Sequence, residues 1–225
     1  MFNGGNIKEY ILTKLITIPI VLISLTLHEI SHGWAAYKLG DPTARSLGRL
    51  SLNPLKHLDP IGTICMFFFG FGWAKPVPIN TRYFKKPRRG MALTALAGPA
   101  ANIVLGFIGL LLERIFLAVF NAAPAASETV YKIEVVWLTF LFLFAEMNVG
   151  LAVFNFIPIP PLDGSRILLV FLPPKIYFGL MKYERYIMIG MLALLYFGVL
   201  DPVISGAAGL VLTGMERIIS LIPFI

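Results

Sequence analysis

The sequence predicts an all-α integral membrane protein, a bundle of about five or six transmembrane helices with a small membrane-associated β element between the first two clear spans. Three observations carry this expectation. Hydrophobic residues make up 57% of the 225 residues and charged residues only 14%, against about 25% charged in an ordinary soluble domain. The apolar residues gather into runs whose length suits a bilayer core, which needs about 20 residues of helix. The basic residues behind the formal charge of +7 stand between those runs, where anionic headgroups and the positive-inside bias account for them better than nucleic acid does.

Ile11 to Tyr37 supplies the first span. Lys14 can snorkel outward near its start, and Pro19 kinks it or marks a late beginning of the regular helix. The run is too long for a cleaved signal peptide and lacks a small-residue cleavage site. Lys38 to Gly90 is a mixed segment rich in Gly, Pro, Lys and Arg. Inside it, Ile61 to Ala74 is apolar but short and broken by Gly62, Gly70 and Gly72. That suits a re-entrant or strand-like element better than a full crossing. Cys65, the single cysteine, excludes an intrachain disulfide and a Cys-rich zinc site, and reads as a small buried hydrophobe.

Met91 to Leu112 is uncharged for 22 residues and makes the second clear span, followed by a hydrophilic bend from Asn121 to Glu134. Val135 to about Ile157 is the third, interrupted by Glu146 and Asn148. Pro158-Ile159-Pro160-Pro161 must end it, because proline removes backbone donors and excludes continuing helix. Asp163-Gly164 opens another apolar stretch to Phe171, stopped by Pro173-Pro174. Tyr186 to Leu200 and Val203 to Ile222 are two further hydrophobic helices, parted at Asp201-Pro202. No repeat or separable soluble region interrupts this pattern, so residues 1–225 read as one membrane-embedded domain.

Chemistry enters with His28-Glu29-Ile30-Ser31-His32. Between Leu15 and Tyr37 the two histidines and Glu29 are the only ionisable side chains. A charge near the bilayer centre costs a few kcal/mol or more, so such groups are functional suspects. Positions i and i+4 share a helix face, so both imidazoles can grip one metal ion. Glu29 projects nearby, where it can take a proton from an attacking water.

The basic residues also predict an orientation. Lys38, Arg45, Arg49, Lys56, Lys75, Arg82, Lys85, Lys86, Arg88 and Arg89 all fall between the first two clear spans, against Lys8 and Lys132 on the other side. The N-terminus is therefore expected outside and Lys38 to Gly90 in the cytoplasm. His28 and His32 then lie in the cytoplasmic half, and the third span descends to bring Asp163 to the same side.

Two imidazoles need a third protein ligand to make a hydrolytic zinc site with one open position. His57 lies in the basic segment, where an interfacial or structural role suits it better. Asp41 and Asp59 sit in Gly/Pro-containing loops. Glu146 is far from the expected cytoplasmic end and is expected to be paired or protonated inside the bundle. Asp163 stands at a helix break that frees backbone and admits water, and is the favoured ligand; its alternative role is an N-cap. Asn102 and Asn155 are uncharged donors in apolar helices that could stabilise an oxyanion or hold substrate backbone. Asn102 could instead serve only to pack one helix on another.

These pieces together resemble the site-2 protease family, the intramembrane zinc metallopeptidases. The resemblance rests on His28-Glu29-Ile30-Ser31-His32, Gly72-Trp73-Ala74-Lys75-Pro76-Val77-Pro78, Ala97-Gly98-Pro99-Ala100-Ala101-Asn102, Asn155-Phe156-Ile157-Pro158 and Leu162-Asp163-Gly164. It spans roughly residues 10–200 and is to the compact prokaryotic type without a PDZ or CBS domain. It implies zinc held by His28, His32 and Asp163, Glu29 as catalytic base, and a membrane-spanning protein as substrate, cut near the cytoplasmic face of the cell membrane. Substrate must unwind, and the stretch Gly70 to Asn80 is expected to offer it an edge strand. Ser165 departs from the family's pattern, which often has glycine after the Asp-Gly pair. Two rivals from other classes are a non-catalytic membrane metal transporter or sensor and a helix-holding scaffold. A transporter needs ligands at several depths, and only Glu146 and the two asparagines are available.

Overall fold

A computed structural model describes residues 7–69, 72–123, 125–168 and 170–223. The helices are α1 (Ile7–Lys38), α2 (Thr43–Ser46), α3 (Pro60–Phe69), α4 (Pro87–Ala122), α5 (Glu128–Phe156), α6 (Asp163–Leu168), α7 (Pro174–Lys182), α8 (Glu184–Tyr196) and α9 (Asp201–Ile219). α4 is the centre of the bundle, packed on α1, α5 and α6, and α9 closes against α5. Leu110 of α4, Ala145 and Val149 of α5, and Ala208, Met215 and Ile219 of α9 form the buried cluster that joins them. α5 starts where Ser127 accepts a hydrogen bond from Val130 N at 3.3 Å, with Glu128 in the first turn, so one orphan donor is met and the helix dipole is complemented.

Among the described residues, four helices are long and apolar enough to cross a bilayer: Lys14–Lys38 within α1, then α4, α5 and α9. Set against the expectation of five or six spans, these four are the candidates that length and composition support among the described residues. The 13 residues of α8 reach about 20 Å at 1.5 Å per residue, well short of a hydrocarbon core of about 30 Å. α6 is shorter still at six residues, so the apolar stretch expected after Asp163 does not cross as a helix. Composition marked these stretches as apolar, but the turn at Leu172–Pro173 and the short turn at Tyr183 cut them too short. α4, in contrast, runs past its expected end through Glu113 and Arg114, and α5 begins at Glu128 rather than Val135. Val104, Ile108 and Leu112 form an outward stripe along α4, the surface expected where lipid replaces water.

The β element is corrected. Between α1 and α4 the described residues hold one isolated antiparallel bridge, Leu58 to Ala74, and no sheet. The reason lies in the partners. Lys75 N donates to His57 O at 2.8 Å, but the next donors along the segment are lost, since Pro76 and Pro78 have no N–H. On the other side Asp59 turns the chain into α3, its Oδ1 accepting from Gly62 N at 2.8 Å. Most of the apolar stretch Ile61 to Ala74 is therefore helical, and the Gly70 end of the expected strand lies outside the described residues.

Candidate metal centre

The extended segment after α3 is held against α1 by two carboxylates. Asp41, fully buried just beyond α1, accepts from Asn80 N at 2.6 Å and from Thr43 N at 2.9 Å. Glu29, inside α1, accepts from Val77 N at 2.9 Å. The segment thereby forms one wall of a cavity of about 220 Å³ that also exposes His28, Glu29, His32, Asn155 and Asp163.

His28 and His32 lie one turn apart on α1, both nearly buried, with their Nε2 atoms 3.0 Å from each other. Asp163 Oδ2 stands 3.2 Å from His28 Nε2 and 3.1 Å from His32 Nε2. The opposite ring nitrogens face α4: His28 Nδ1 is 2.5 Å from Asn102 Oδ1, and His32 Nδ1 is 2.7 Å from Thr94 O. Both partners are oxygens, so each imidazole donates from Nδ1 and turns the lone pair of Nε2 inward. Asp163 Oδ2 is itself a buried oxygen with no donor at hydrogen-bonding angle. Three acceptor atoms thus converge on one point.

A cation there resolves the arrangement. Tetrahedral zinc with ligands at about 2.0–2.2 Å sets its donor atoms about 3.3–3.5 Å apart. The observed 3.0–3.2 Å is within a few tenths of an ångström of that spacing, and the three atoms are the described group able to share one ion. Two imidazoles and one carboxylate are a donor set suited to zinc.

Two close approaches set this geometry. Thr94, Gly98 and Asn102 recur every four residues and so form one stripe of α4 facing the histidines. A Cβ on Gly98 would come within 2.5 Å of the His32 ring and 2.6 Å of the His28 ring. Gly164 lets α6 meet the end of α5, where an added Cβ would lie 2.4 Å from Phe156 O and 2.5 Å from Ile157 O. That contact, beyond the proline break, aims Asp163 at α1. Ser165 is accommodated because its Oγ donates to Leu162 O at 2.7 Å within the same turn.

The other sequence candidates separate. Asn155 lines the cavity, with Nδ2 donating to Leu151 O at 3.0 Å. Asn102 is fully buried behind His28 and is absent from the cavity wall. His57 is buried elsewhere, its Nε2 2.8 Å from Ser51 O. Glu146, expected inside the bundle, is on the exposed face of α5. Arg166, which composition did not single out, also lines the cavity; its place three residues after Asp163 on α6 was the available signal.

The family model described as Peptidase family M50 matches residues 16–197. The chain is 43% identical over 166 residues to a protein of Bacillus subtilis named "Putative zinc metalloprotease YwhC", covering 74% of this chain and 73% of that one. It is 32% identical over 173 residues to "Putative zinc metalloprotease Rip2" of Mycolicibacterium smegmatis, covering 74% of this chain and 61% of the relative. The Mycobacterium tuberculosis protein of the same name is 29% identical over 191 residues, with 82% and 66% covered. The chain thus spans less than two thirds of the length of these mycobacterial relatives. No solved structure matches it. With the family model covering most of the chain, this protein belongs to peptidase family M50, the site-2 protease family.

Proposed function

We propose that the chain is a zinc-dependent endopeptidase that hydrolyses peptide bonds in membrane-spanning segments of other proteins, near the cytoplasmic face. The carrying observation is that the acceptor cluster of His28, His32 and Asp163 shares one cavity with the carboxylate of Glu29, in a chain with four apolar spans. His28, His32 and Asp163 would hold the metal. Zinc, when bound, polarises the scissile carbonyl and makes water a nucleophile near neutral pH.

Glu29 takes the proton from the attacking water and passes it to the departing amide nitrogen. The hydrogen bond from Val77 N to Glu29 Oε2 fixes the carboxylate on the cavity side of α1. Asn155 has a second amide hydrogen besides the one given to Leu151 O, and Arg166 stands on the same wall; either can donate to the oxyanion or to a substrate carbonyl. A helical substrate hides its carbonyls in its own hydrogen bonds, so it must open locally. The extended segment between Trp73 and Ile79 is bonded within the chain at Ala74, Lys75 and Val77 but joins no sheet among the described residues, and offers an extended template for that opening.

The ten basic residues between Lys38 and Arg89 support a cytoplasmic position for that segment. About six residues, or roughly 9 Å of helix, then separate His32 from that face. Purified in detergent without chelator, the protein is expected to carry one zinc per chain by plasma mass spectrometry. His28→Ala and Asp163→Ala are expected to lose it. Chelation should stop cleavage of a single-span peptide containing helix-breaking residues, and added zinc should restore it. Full zinc occupancy in Asp163→Ala would overturn the ligand set. Zinc flux into liposomes without any cleavage would replace the peptidase with a transporter.

A further inference from the structure

We propose that Asn148 of α5 and Ser24 of α1 act through Asn102 as a buried positioning relay that dictates which nitrogen of His28 faces the metal. The inference rests on the reading of His28 as a zinc ligand. Ser24, Asn102 and Asn148 are each fully buried, and none of the three lines the cavity. They join α1, α4 and α5 in one line of hydrogen bonds ending at the His28 ring.

The direction of that line is fixed from its far end. An amide side chain fits equally well turned end for end, so something else must choose its orientation. Phe144 O is a backbone carbonyl and can only accept. Asn148 must therefore present Nδ2 to it, at 2.8 Å, and the same NH2 donates to Ser24 Oγ at 2.9 Å. Asn148 Oδ1 is left facing α4, where it accepts from Asn102 Nδ2 at 2.7 Å. Asn102 Oδ1 then faces His28 Nδ1 at 2.5 Å, and that nitrogen must carry the proton. Nε2 is left with its lone pair towards His32 and Asp163. Reversing any one amide would set acceptor against acceptor and donor against donor, with no solvent to relieve it. His32 needs no relay, because Thr94 O is itself an obligate acceptor.

Polar residues also hold membrane helices together without touching a functional site, and the test separates that role from positioning. Zinc affinity would be measured by competition with a chelator in detergent. The His28 Nδ1–H signal would be followed by NMR on protein labelled with 15N-histidine, which has only three imidazoles. Asn148→Leu is expected to weaken zinc binding about 10- to 100-fold and to shift or broaden the His28 Nδ1–H signal. Asn148→Asp should rescue both when its buried carboxyl is protonated, because its carbonyl oxygen then accepts from Asn102 Nδ2 while its hydroxyl donates to Phe144 O in place of Nδ2. Asn148→Ala carries the same expectation as the leucine variant should the latter fail to fold. Wild-type zinc affinity with an unchanged His28 signal in a folded Asn148→Leu or Asn148→Ala protein would overturn the relay, leaving only a packing role. His28→Ala distinguishes the two levels. If it keeps its zinc, the ligand reading fails; if it loses zinc while the Asn148 variants keep theirs, the relay alone fails.

Discussion

Replacing Glu29 with glutamine is expected to lower peptide cleavage by about 10²- to 10⁴-fold, the usual contribution of a positioned general base, with zinc content unchanged. Glutamine keeps the length of the side chain, and its carbonyl oxygen can still accept from Val77 N, as Glu29 Oε2 does at 2.9 Å. The wall segment should therefore stay in place. The three convergent acceptors are His28, His32 and Asp163, so the metal does not depend on Glu29. What disappears is the ability to take a proton at neutral pH. Single-turnover cleavage beside metal analysis tests this, and undiminished turnover with full zinc would remove Glu29 as the base.

Gly98→Ala is expected to abolish tight zinc binding and to lower activity by about 100-fold or more, the scale on which a 1 Å displacement of a reacting group acts. The added methyl would sit 2.5 Å from His32 Cε1 and Nε2 and 2.6 Å from His28 Cε1. Neither ring can yield without leaving its partner on α4, Thr94 O or Asn102 Oδ1. In an exposed helix the same substitution stabilises by roughly 0.5–1 kcal/mol, so the expected loss runs against intrinsic helix propensity. Gly150→Ala is the control, since a Cβ there meets nothing within 4 Å; zinc binding and cleavage should be retained. Chelator competition and cleavage rates on the three proteins decide the matter, and a Gly98→Ala protein with normal zinc affinity would show that α4 does not buttress the histidines.

Much of the site was legible because its chemistry is local. His28, Glu29 and His32 stand within five residues of one helix, and an ionisable trio inside an apolar run has few innocent explanations. Asp163 was legible because the preceding prolines must end α5 before the cavity. The second layer was not. Asn148 is one polar residue in an apolar helix, and nothing local says whether it turns inward, as it does, or outward, as Glu146 two residues earlier does. The i, i+4, i+8 stripe of Thr94, Gly98 and Asn102 was visible as spacing, but its partner helix was not. Helix lengths beyond α5 were not legible for a related reason. Hydropathy reports which stretches are apolar, while the turns that leave α6 and α8 too short to cross depend on chain packing beyond Phe156.

By itself the sequence determined that the chain enters a membrane, that α1 carries two imidazoles and a carboxylate on adjoining positions, and that a proline break presents Asp163 to the same end of the bundle. These follow from hydropathy, helical periodicity and the missing proline N–H, all properties of neighbouring residues. Only the tertiary structure decided that Asp163 comes within 3.2 Å of both histidines, that Val77 N holds Glu29, that Asn102 serves His28 from behind instead of lining the cavity, and that the expected sheet shrinks to one bridge. Each of these joins residues 16 to 135 positions apart, so each is settled by how the helices pack and by which distant partner satisfies each buried polar group.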